Sequence, residues 1–150
     1  MILAASAAIK TGTKYLQVFT EEEYAHTLPI ILPQIIAKPF SLSDFEKSMS
    51  SFNRILIGPG TTTSLKKYVD IALENINSLD SLIIDAGALM YIDKIKPFSD
   101  RLIITPHPGE AAKMLNIPVS EVQADRYKTC LLYTSPSPRD VEESRMPSSA

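Results

Sequence analysis

The sequence has one cysteine, two histidines and no tryptophan, and these scarcities limit the classes of protein to which it can belong. A single thiol, Cys130, excludes an internal disulfide framework and fits a reducing compartment, which predicts a cytoplasmic location. Basic and acidic residues number 15 and 17, so the formal net charge is −2 and no basic excess is present for nucleic acid. No apolar run reaches the length of a membrane span. We therefore expect neither a nucleic-acid partner nor a membrane partner.

The sequence does contain enough apolar material for one hydrophobic core. It has 150 residues, of which 45% are hydrophobic, and this suffices for a single globular domain. The apolar start, Met1–Ser6, lacks a basic region before it, so it favours an amphipathic helix over a signal peptide.

The last 21 residues differ in character from the rest of the sequence. From Cys130 onward the apolar periodicity disappears, and Ser, Pro and Arg dominate, which is typical of disordered chain. Cys130–Asp140 also resembles the in-frame translation of a sequencing-library adapter, and Glu143–Ala150 resembles the far end of the same adapter. We expect residues 130–150 to be a non-native, disordered tail, and residues 1–129 to be part of an incomplete domain.

Strand and helix patterns alternate through residues 1–129. Continuous aliphatic runs such as Ile55–Ile57 and Leu82–Ile84 are typical of strands that are covered on both faces. Apolar residues at helical spacing between Leu65 and Ile76 predict a helix that packs against the sheet. The pattern predicts an α/β fold with a mostly parallel sheet covered by helices on both faces. The predicted strands are Tyr15–Phe19, Ile35–Lys38, Arg54–Ile57, Ser81–Asp85 and Arg101–Thr105.

Three helix starts are predicted from the Ser/Thr-x-x-Glu/Gln spacing of a capping box. In this motif the two side chains accept hydrogen bonds from each other's backbone amides. The pairs are Thr20 with Glu23, Ser43 with Glu46, and Ser120 with Gln123.

The segment Thr-Pro-His-Pro-Gly-Glu at Thr105–Glu110 directly follows the apolar run Leu102–Ile104. Its two prolines and its glycine end the strand and impose a turn. Apolar residues at helical spacing follow directly, which predicts a helix after the turn. His107 is thereby held after the carboxyl end of a strand, where open α/β sheets bind their ligands. An exposed histidine in a polar turn is the alternative, and the strand–turn–helix context favours a binding site.

A second strand ends in the glycine-rich turn Gly58–Ser64. Glycines allow close backbone approach, while hydroxyls and helix-terminal amides can hold phosphate oxygens. A structural turn with an N-cap from Thr63 or Ser64 fits these residues equally well, because neither a P-loop lysine nor a Gly-x-Gly-x-x-Gly pattern is present.

A third strand ends at Asp85. Its carboxylate can orient a ligand hydroxyl or a metal-bound water, or it can simply cap the following turn. Right-handed crossovers place all such turns at one edge of a parallel sheet. We therefore expect Gly58, Gly60, Asp85 and His107 to form one cleft.

Four motifs together resemble a known family. They are Gly58–Gly60, Asp85–Leu89, Thr105–Glu110 and Val122–Arg126, and they occur in the order and approximate spacing of the NAD(P)H-hydrate dehydratase family. The resemblance covers residues 1–129 and implies a ribokinase-like fold. It also implies a lyase that repairs NAD(P)H hydrate with ADP or ATP and Mg²⁺, and that forms a homo-oligomer. The substrate-binding residues implied are Gly58, Gly60, Thr62, Asp85, His107 and Glu110.

The sequence also departs from the family pattern. The family continues Gly-Pro-Gly-Leu-Gly, where this sequence has Thr61 and Thr62. The family's later Gly-Thr-Gly-Asp segment, with its catalytic aspartate, is absent, so we assign no catalytic residue and no metal ligand and expect this chain to be inactive. A ribokinase-like kinase for a vitamin or sugar, and an inactive nucleotide-binding fragment, are the alternatives.

Overall fold

The computed structural model describes residues 1–60, 64–92 and 99–131. The described residues divide into two compact units. The first unit is Met1–Ile92 with Arg101–Thr105, and the second unit contains Ser99, Asp100 and the residues from Pro106 to Leu131. The helices are α1 (Ile2–Lys10), α2 (Glu22–Ala25), α3 (Leu28–Ile31), α4 (Leu42–Ser48), α5 (Lys66–Glu74), α6 (Pro108–Leu115), α7 (Val119–Ala124) and α8 (Arg126–Leu131). The strands are β1 (Leu16–Thr20), β2 (Ile35–Pro39), β3 (Arg54–Ile57), β4 (Ser81–Ile84) and β5 (Leu102–Ile104), and 3₁₀ helices occupy Ile76–Ser78 and Ala86–Tyr91.

The predicted parallel strands are confirmed, but in the described residues they form two sheets rather than one. β1 pairs with β2, and a separate sheet has the order β3-β4-β5. All three pairings are parallel. Each strand starts and ends within one residue of its predicted bounds, and β3 matches them at both ends.

The core of the first unit lies where α5 covers the three-stranded sheet. Val69 and Ala72 on α5 are fully buried, as are Leu82 and Ile84 on the central strand β4. Full burial of a valine or leucine side chain stabilises a fold by about 1.5–3 kcal/mol. The predicted apolar stripe therefore does form the inner face of α5.

Aromatic side chains add a second cluster to this unit. The ring of Tyr68 on α5 lies 5.3 Å from that of Phe40 and 5.2 Å from that of Phe45. Phe19 meets Phe45 edge to face at 5.7 Å. Burial in this cluster raises the pKa of the Tyr68 hydroxyl above its ordinary value of 10.0.

The capping box predicted at Thr20 is wrong. Thr20 is the buried last residue of β1, and its hydroxyl donates to the Glu21 carboxylate at 3.1 Å. α2 begins at Glu22 without a side-chain cap. Thr20 belongs to the paired strand β1, so its three-residue spacing to Glu23 does not form a helix cap.

The other two predicted boxes are also wrong. α4 is capped by Ser41, whose hydroxyl accepts from the Asp44 amide at 3.2 Å, so Ser43 lies inside the helix. α7 begins at Val119, which places Ser120 within its first turn. In both cases the helix starts earlier than the Ser-x-x-Glu/Gln spacing predicts.

The second unit is helical in its described part. Ala111 and Ala112 of α6 pack with Val122 of α7 and with the partly buried Ile117. α6 ends at Leu115, and the C-cap residue Asn116 has a left-handed φ of 58°, which is a common way to terminate a helix. No described helix is long and apolar enough to cross a membrane. The predicted tail lies outside the described residues except for positions 130 and 131, which belong to α8.

Candidate functional site

The carboxyl ends of β3, β4 and β5 lie side by side at one edge of the sheet. Ile57 is in register with Ile84, and Ile84 is in register with Ile104. Gly58, Asp85 and Thr105 directly follow these three isoleucines, which confirms that the three turns share one edge.

Position 58 requires a glycine because its backbone closely contacts the residue that follows β4. Its φ is +127°, and a Cβ at this position would overlap the backbone carbonyl oxygen of Asp85 and approach the Ala88 side chain to 3.1 Å. The Asp85 amide donates to the Ile57 carbonyl at 3.0 Å, which draws the two chain segments together. The close backbone approach that glycine permits at position 58 is therefore an approach to Asp85 of the same chain.

The backbone of Gly60 likewise lies close to another part of the same chain, Met1. Its φ is +75°, and a Cβ there would collide with the backbone nitrogen of Met1. The helix that follows, α5, has Leu65 at its N-cap position without a side-chain cap, so the predicted cap from Ser64 is wrong. Residues 61–63, and with them the predicted site residue Thr62 and the alternative cap Thr63, lie outside the described residues.

The Asp85 carboxylate is oriented by a threonine from the neighbouring strand end. Thr105 Oγ1 donates to Asp85 Oδ1 at 2.8 Å. Asp85 precedes the 3₁₀ helix but makes no side-chain cap, so the capping alternative for this residue is wrong. Ala86 follows with a φ of 49°, a backbone conformation that is costly for a residue with a side chain. The half-buried carboxylate is thereby held at the edge of the sheet with one oxygen engaged.

Sequence reasoning did not pair Thr105 with Asp85. The signal was nevertheless present, because both residues directly follow strands that prove to be adjacent and in register. A hydroxyl and a carboxylate at equivalent positions of neighbouring parallel strands are within hydrogen-bonding reach.

In the second unit, His107 is the N-cap residue of α6. Its Nδ1 accepts from the amides of Gly109 at 3.0 Å and Glu110 at 3.4 Å. The Glu110 carboxylate in turn accepts from the His107 amide at 2.8 Å, which completes a capping box. Because Nδ1 is an acceptor, the neutral ring carries its proton on Nε2.

His107 is therefore a structural cap and remains exposed. Its side chain is 69% accessible, and Nε2 lies 3.5 Å from Glu110 Oε1. The exposed Nε2–H is available as a hydrogen-bond donor to a ligand. The predicted cleft that unites His107 with Gly58 and Asp85, and the substrate contacts assigned to these residues, stay predictions.

Within the residues that the structure describes, no three His, Cys, Asp or Glu side chains converge as a metal site would require. The described chain thus has no ligand set to which Mg²⁺ can be assigned.

Comparison with protein families gives a match over most of the chain. A family model described as NAD(P)H-hydrate dehydratase matches residues 1–134. The ADP-dependent (S)-NAD(P)H-hydrate dehydratase of Bacillus subtilis is 30% identical over 134 residues, which cover 83% of this chain and 45% of that protein. The chain spans less than half the length of the curated relatives that it matches.

Solved structures agree with the family match. The B. subtilis ADP/ATP-dependent NAD(P)H-hydrate dehydratase, co-crystallised with ATP and Mg²⁺ and soaked with CoA, superposes with a TM-score of 0.63 at 30% identity. That match covers 85% of this chain and 47% of the other. A ribokinase-like superfamily protein from Enterococcus faecalis has a TM-score of 0.73 at 21% identity, covering 88% of this chain and 49% of that one. The ribokinase-like fold is therefore confirmed.

Proposed function

Because the chain belongs to the NAD(P)H-hydrate dehydratase family, we propose that it forms part of the substrate site of a nucleotide-dependent repair enzyme. The reaction is the dehydration of (S)-NAD(P)H hydrate to NAD(P)H at the expense of ADP or ATP, as the names of the B. subtilis relative and of the B. subtilis solved structure indicate for those proteins. This makes the intact enzyme a lyase.

The observation that carries the proposal is the Asp85 carboxylate at the edge of the sheet. It is partly exposed, and Thr105 engages one of its oxygens, so the other can accept a hydrogen bond from a ligand. NAD(P)H hydrate offers hydroxyl groups that can donate such a bond. Carboxyl ends of parallel strands are also where open α/β sheets bind ligands.

The chemistry has two steps. The terminal phosphoryl group of the nucleotide is transferred to the hydroxyl oxygen on the hydrated carbon of the substrate, which converts a poor leaving group into a good one. Loss of phosphate together with a proton from the adjacent carbon then restores the double bond. The base for the first step is the family's aspartate, which the 150 residues lack, so this chain contributes substrate positioning only.

Individual residues take different parts in that positioning. Asp85 accepts from a substrate hydroxyl, and Thr105 holds its carboxylate in place. His107 donates from Nε2, while Glu110 holds the backbone of His107 in the capping box. Gly58 allows Asp85 to approach the end of β3.

The cellular setting is also proposed. The single cysteine fits a reducing cytoplasm, and the family resemblance implies a homo-oligomer. The sequence has no basic excess for nucleic acid, and NAD(P)H hydrate is the expected small-molecule partner.

Titration of the 150-residue chain with NADH hydrate in a calorimeter tests the binding role. We expect Asp85→Asn to weaken binding on the order of tenfold, because the charged acceptor is lost while the Thr105 bond can still form. Asp70→Asn, which removes a carboxylate paired with Lys66 on α5, is the matched control and should leave binding unchanged. Equal affinity of the Asp85→Asn variant and the unmodified chain would contradict the assignment.

Recovery of NADH absorbance from the hydrate, with ADP, with ATP and with neither, tests the activity. This chain should show no turnover, whereas a longer parent protein that contains the family's Gly-Thr-Gly-Asp segment should show nucleotide-dependent repair. Repair without nucleotide would contradict the phosphorylation step. Phosphorylation of a vitamin or sugar without repair would favour the kinase alternative, and nucleotide binding without any turnover by the longer protein would favour the non-catalytic one.

A further inference from the structure

In the described chain, the first turn of α6 has no backbone amide left for an anion. Helix starts often bind phosphate through such amides. Here Nδ1 of His107 accepts from the amides of Gly109 and Glu110, and the Glu110 carboxylate accepts from the amide of His107. Pro108 has no amide hydrogen, and the amide of Ala111 donates to the His107 carbonyl at 2.9 Å. The chain itself therefore occupies the place that a phosphate would take.

Gly109 makes room for the imidazole ring of His107. Its φ lies outside the left-handed region, so the backbone at this position does not require glycine. A Cβ added there would lie 2.9 Å from Cε1 of His107 and 3.3 Å from Nδ1. The first distance is too short for two carbon atoms, so an alanine would displace the ring from the start of the helix. The missing side chain is what allows the ring to cap α6.

The ring held in this way presents one donor beside one acceptor. Because Nδ1 of His107 accepts, the neutral ring carries its proton on Nε2. Nε2 lies 3.5 Å from Oε1 of Glu110, which is longer than an ordinary N–H···O hydrogen bond. Neither atom hydrogen-bonds elsewhere within the described residues. The pair therefore offers a ligand an N–H donor and a carboxylate oxygen side by side.

A primary carboxamide is a neutral group that matches this pair. Its carbonyl oxygen accepts hydrogen bonds and its nitrogen donates them, and the two atoms are neighbours in one plane. A phosphate or a carboxylate has only acceptors and would be repelled by the charge of Glu110. NAD(P)H hydrate has one carboxamide, on its hydrated nicotinamide ring. Its adenine ring also has a donor next to an acceptor, so the test must vary the carboxamide alone.

We propose that His107 and Glu110 together recognise the carboxamide of the hydrated nicotinamide ring, and that Gly109 is the positioning residue for this pair. Nε2 of His107 donates to the carbonyl oxygen, and Oε1 of Glu110 accepts from the amide nitrogen. The inference rests on the proposed function, because it names the group of the proposed substrate that these residues bind. It predicts that the acid form of the same dinucleotide is rejected.

The test titrates the 150-residue chain with NADH hydrate and two analogues in a calorimeter. In one analogue a methyl ketone replaces the carboxamide, which keeps the acceptor and removes the donor. It should bind about fivefold more weakly, because Glu110 loses its partner. In the other analogue a carboxylate replaces the carboxamide. It should bind more weakly by about tenfold or more, because two like charges then face each other.

Glu110→Gln separates the two roles of the glutamate. Glutamine also forms capping boxes, so its oxygen can still accept from the His107 amide while its NH₂ group replaces Oε1. We expect this variant to bind the amide and the carboxylate with affinities within about threefold of each other. Glu121→Gln alters a glutamate in the first turn of α7 and is the matched control. It should retain the full preference for the amide.

Gly109→Ala tests the positioning role. Alanine favours a helix more than glycine does, so a purely structural role for residue 109 predicts no loss of binding. We expect NADH hydrate to bind about tenfold more weakly, because the displaced ring no longer presents Nε2. Long-range ¹H–¹⁵N NMR of the free chain should place the His107 proton on Nε2 alone and should show both tautomers in the variant. His26, the other histidine, is the internal control and should not change.

The possible failures are distinguishable. Equal binding of the three ligands, which is also expected if adenine occupies the pair, would overturn this inference and leave the proposed function intact. So would a proton on Nδ1 of His107 in the free chain, or a preference for the amide that survives Glu110→Gln. Unchanged binding by Gly109→Ala would overturn the positioning role. Absence of binding by all three ligands would overturn the inference and the proposed function together.

Discussion

The strand-end region of the first unit and the start of α6 position their predicted site residues by opposite means. At the strand ends, Asp85 is held by Thr105, a residue 20 positions away in the sequence. At the start of α6, His107 and Glu110 hold each other across a single helical turn. The first arrangement exists only when β4 and β5 are paired, while the second needs four consecutive residues.

This difference predicts how each region responds to substitution. A defect at the strand ends disturbs backbone contacts between strands and should propagate to the unfolding of the whole unit. A defect in the capping box removes two hydrogen bonds at one helix end and should stay local.

Gly58→Ala should have the largest effect. A left-handed φ costs a non-glycine residue about 1–3 kcal/mol, and overlap with the Asp85 carbonyl adds to this. We expect a loss of about 3 kcal/mol or more in the free energy of unfolding, measured by urea denaturation. Gly87→Ala is the control, because a Cβ there meets nothing within 4 Å. A loss under about 1 kcal/mol for Gly58→Ala would contradict the close contact between Gly58 and the Asp85 carbonyl.

His107→Ala should cost about 1 kcal/mol, the usual loss for a removed N-cap. His107→Asn keeps an acceptor side chain that favours the N-cap position and should lose only a few tenths of that, about 0.3 kcal/mol. Hydrogen exchange should show the loss in α6, with the amides of β3 and β4 unchanged. Equally faster hydrogen exchange in β3 and β4 would contradict a local effect of the cap.

Thr105→Val should cost about 0.5–1 kcal/mol, because it removes a single hydrogen bond at an exposed position. Thr105→Ser retains the hydroxyl and should restore the bond. The sharper measurement is binding of NADH hydrate, which should weaken with valine and recover with serine, since only the valine releases the Asp85 carboxylate. Unchanged binding with valine would show that Asp85 needs no positioning by Thr105.

The smallest effect concerns alkaline pH. Burial raises the pKa of Tyr68 above 10.0, so above that pH the folded state retains a proton that the unfolded state loses. Stability contributed by this group is therefore present below pH 10 and declines as the pH rises through the folded-state pKa. Tyr68→Phe should flatten the dependence of the unfolding free energy between pH 9 and about 11. An identical pH profile for both proteins would contradict the burial effect.

Much of the fold was predictable from local pattern. Aliphatic runs such as Ile55–Ile57 and Leu82–Ile84 identify strands. The central strand β4 buries Leu82 and Ile84 fully, whereas Leu56 of β3 is 48% exposed. The stripe from Leu65 to Ile76 likewise identifies the inner face of α5, since apolar spacing reports directly on burial.

Helix starts were not predictable in the same way. Thr20, Ser43 and Ser120 have the spacing of a capping box, yet none of them is an N-cap. Strand pairing engages Thr20, and Ser41 and Pro118 precede the other two as N-caps. The box that does form uses His107, whose Nδ1 takes the acceptor role that the pattern reserves for serine or threonine.

Parallel strands joined by right-handed crossovers have their carboxyl ends at one edge, so local sequence pattern was enough to predict that the strand ends with Gly58, Asp85 and Thr105 meet there. What these residues contact at that edge could not be predicted from the pattern. Gly58 accommodates the Asp85 carbonyl, and Thr105 engages the Asp85 carboxylate, because strand register brings together groups that are distant in the sequence.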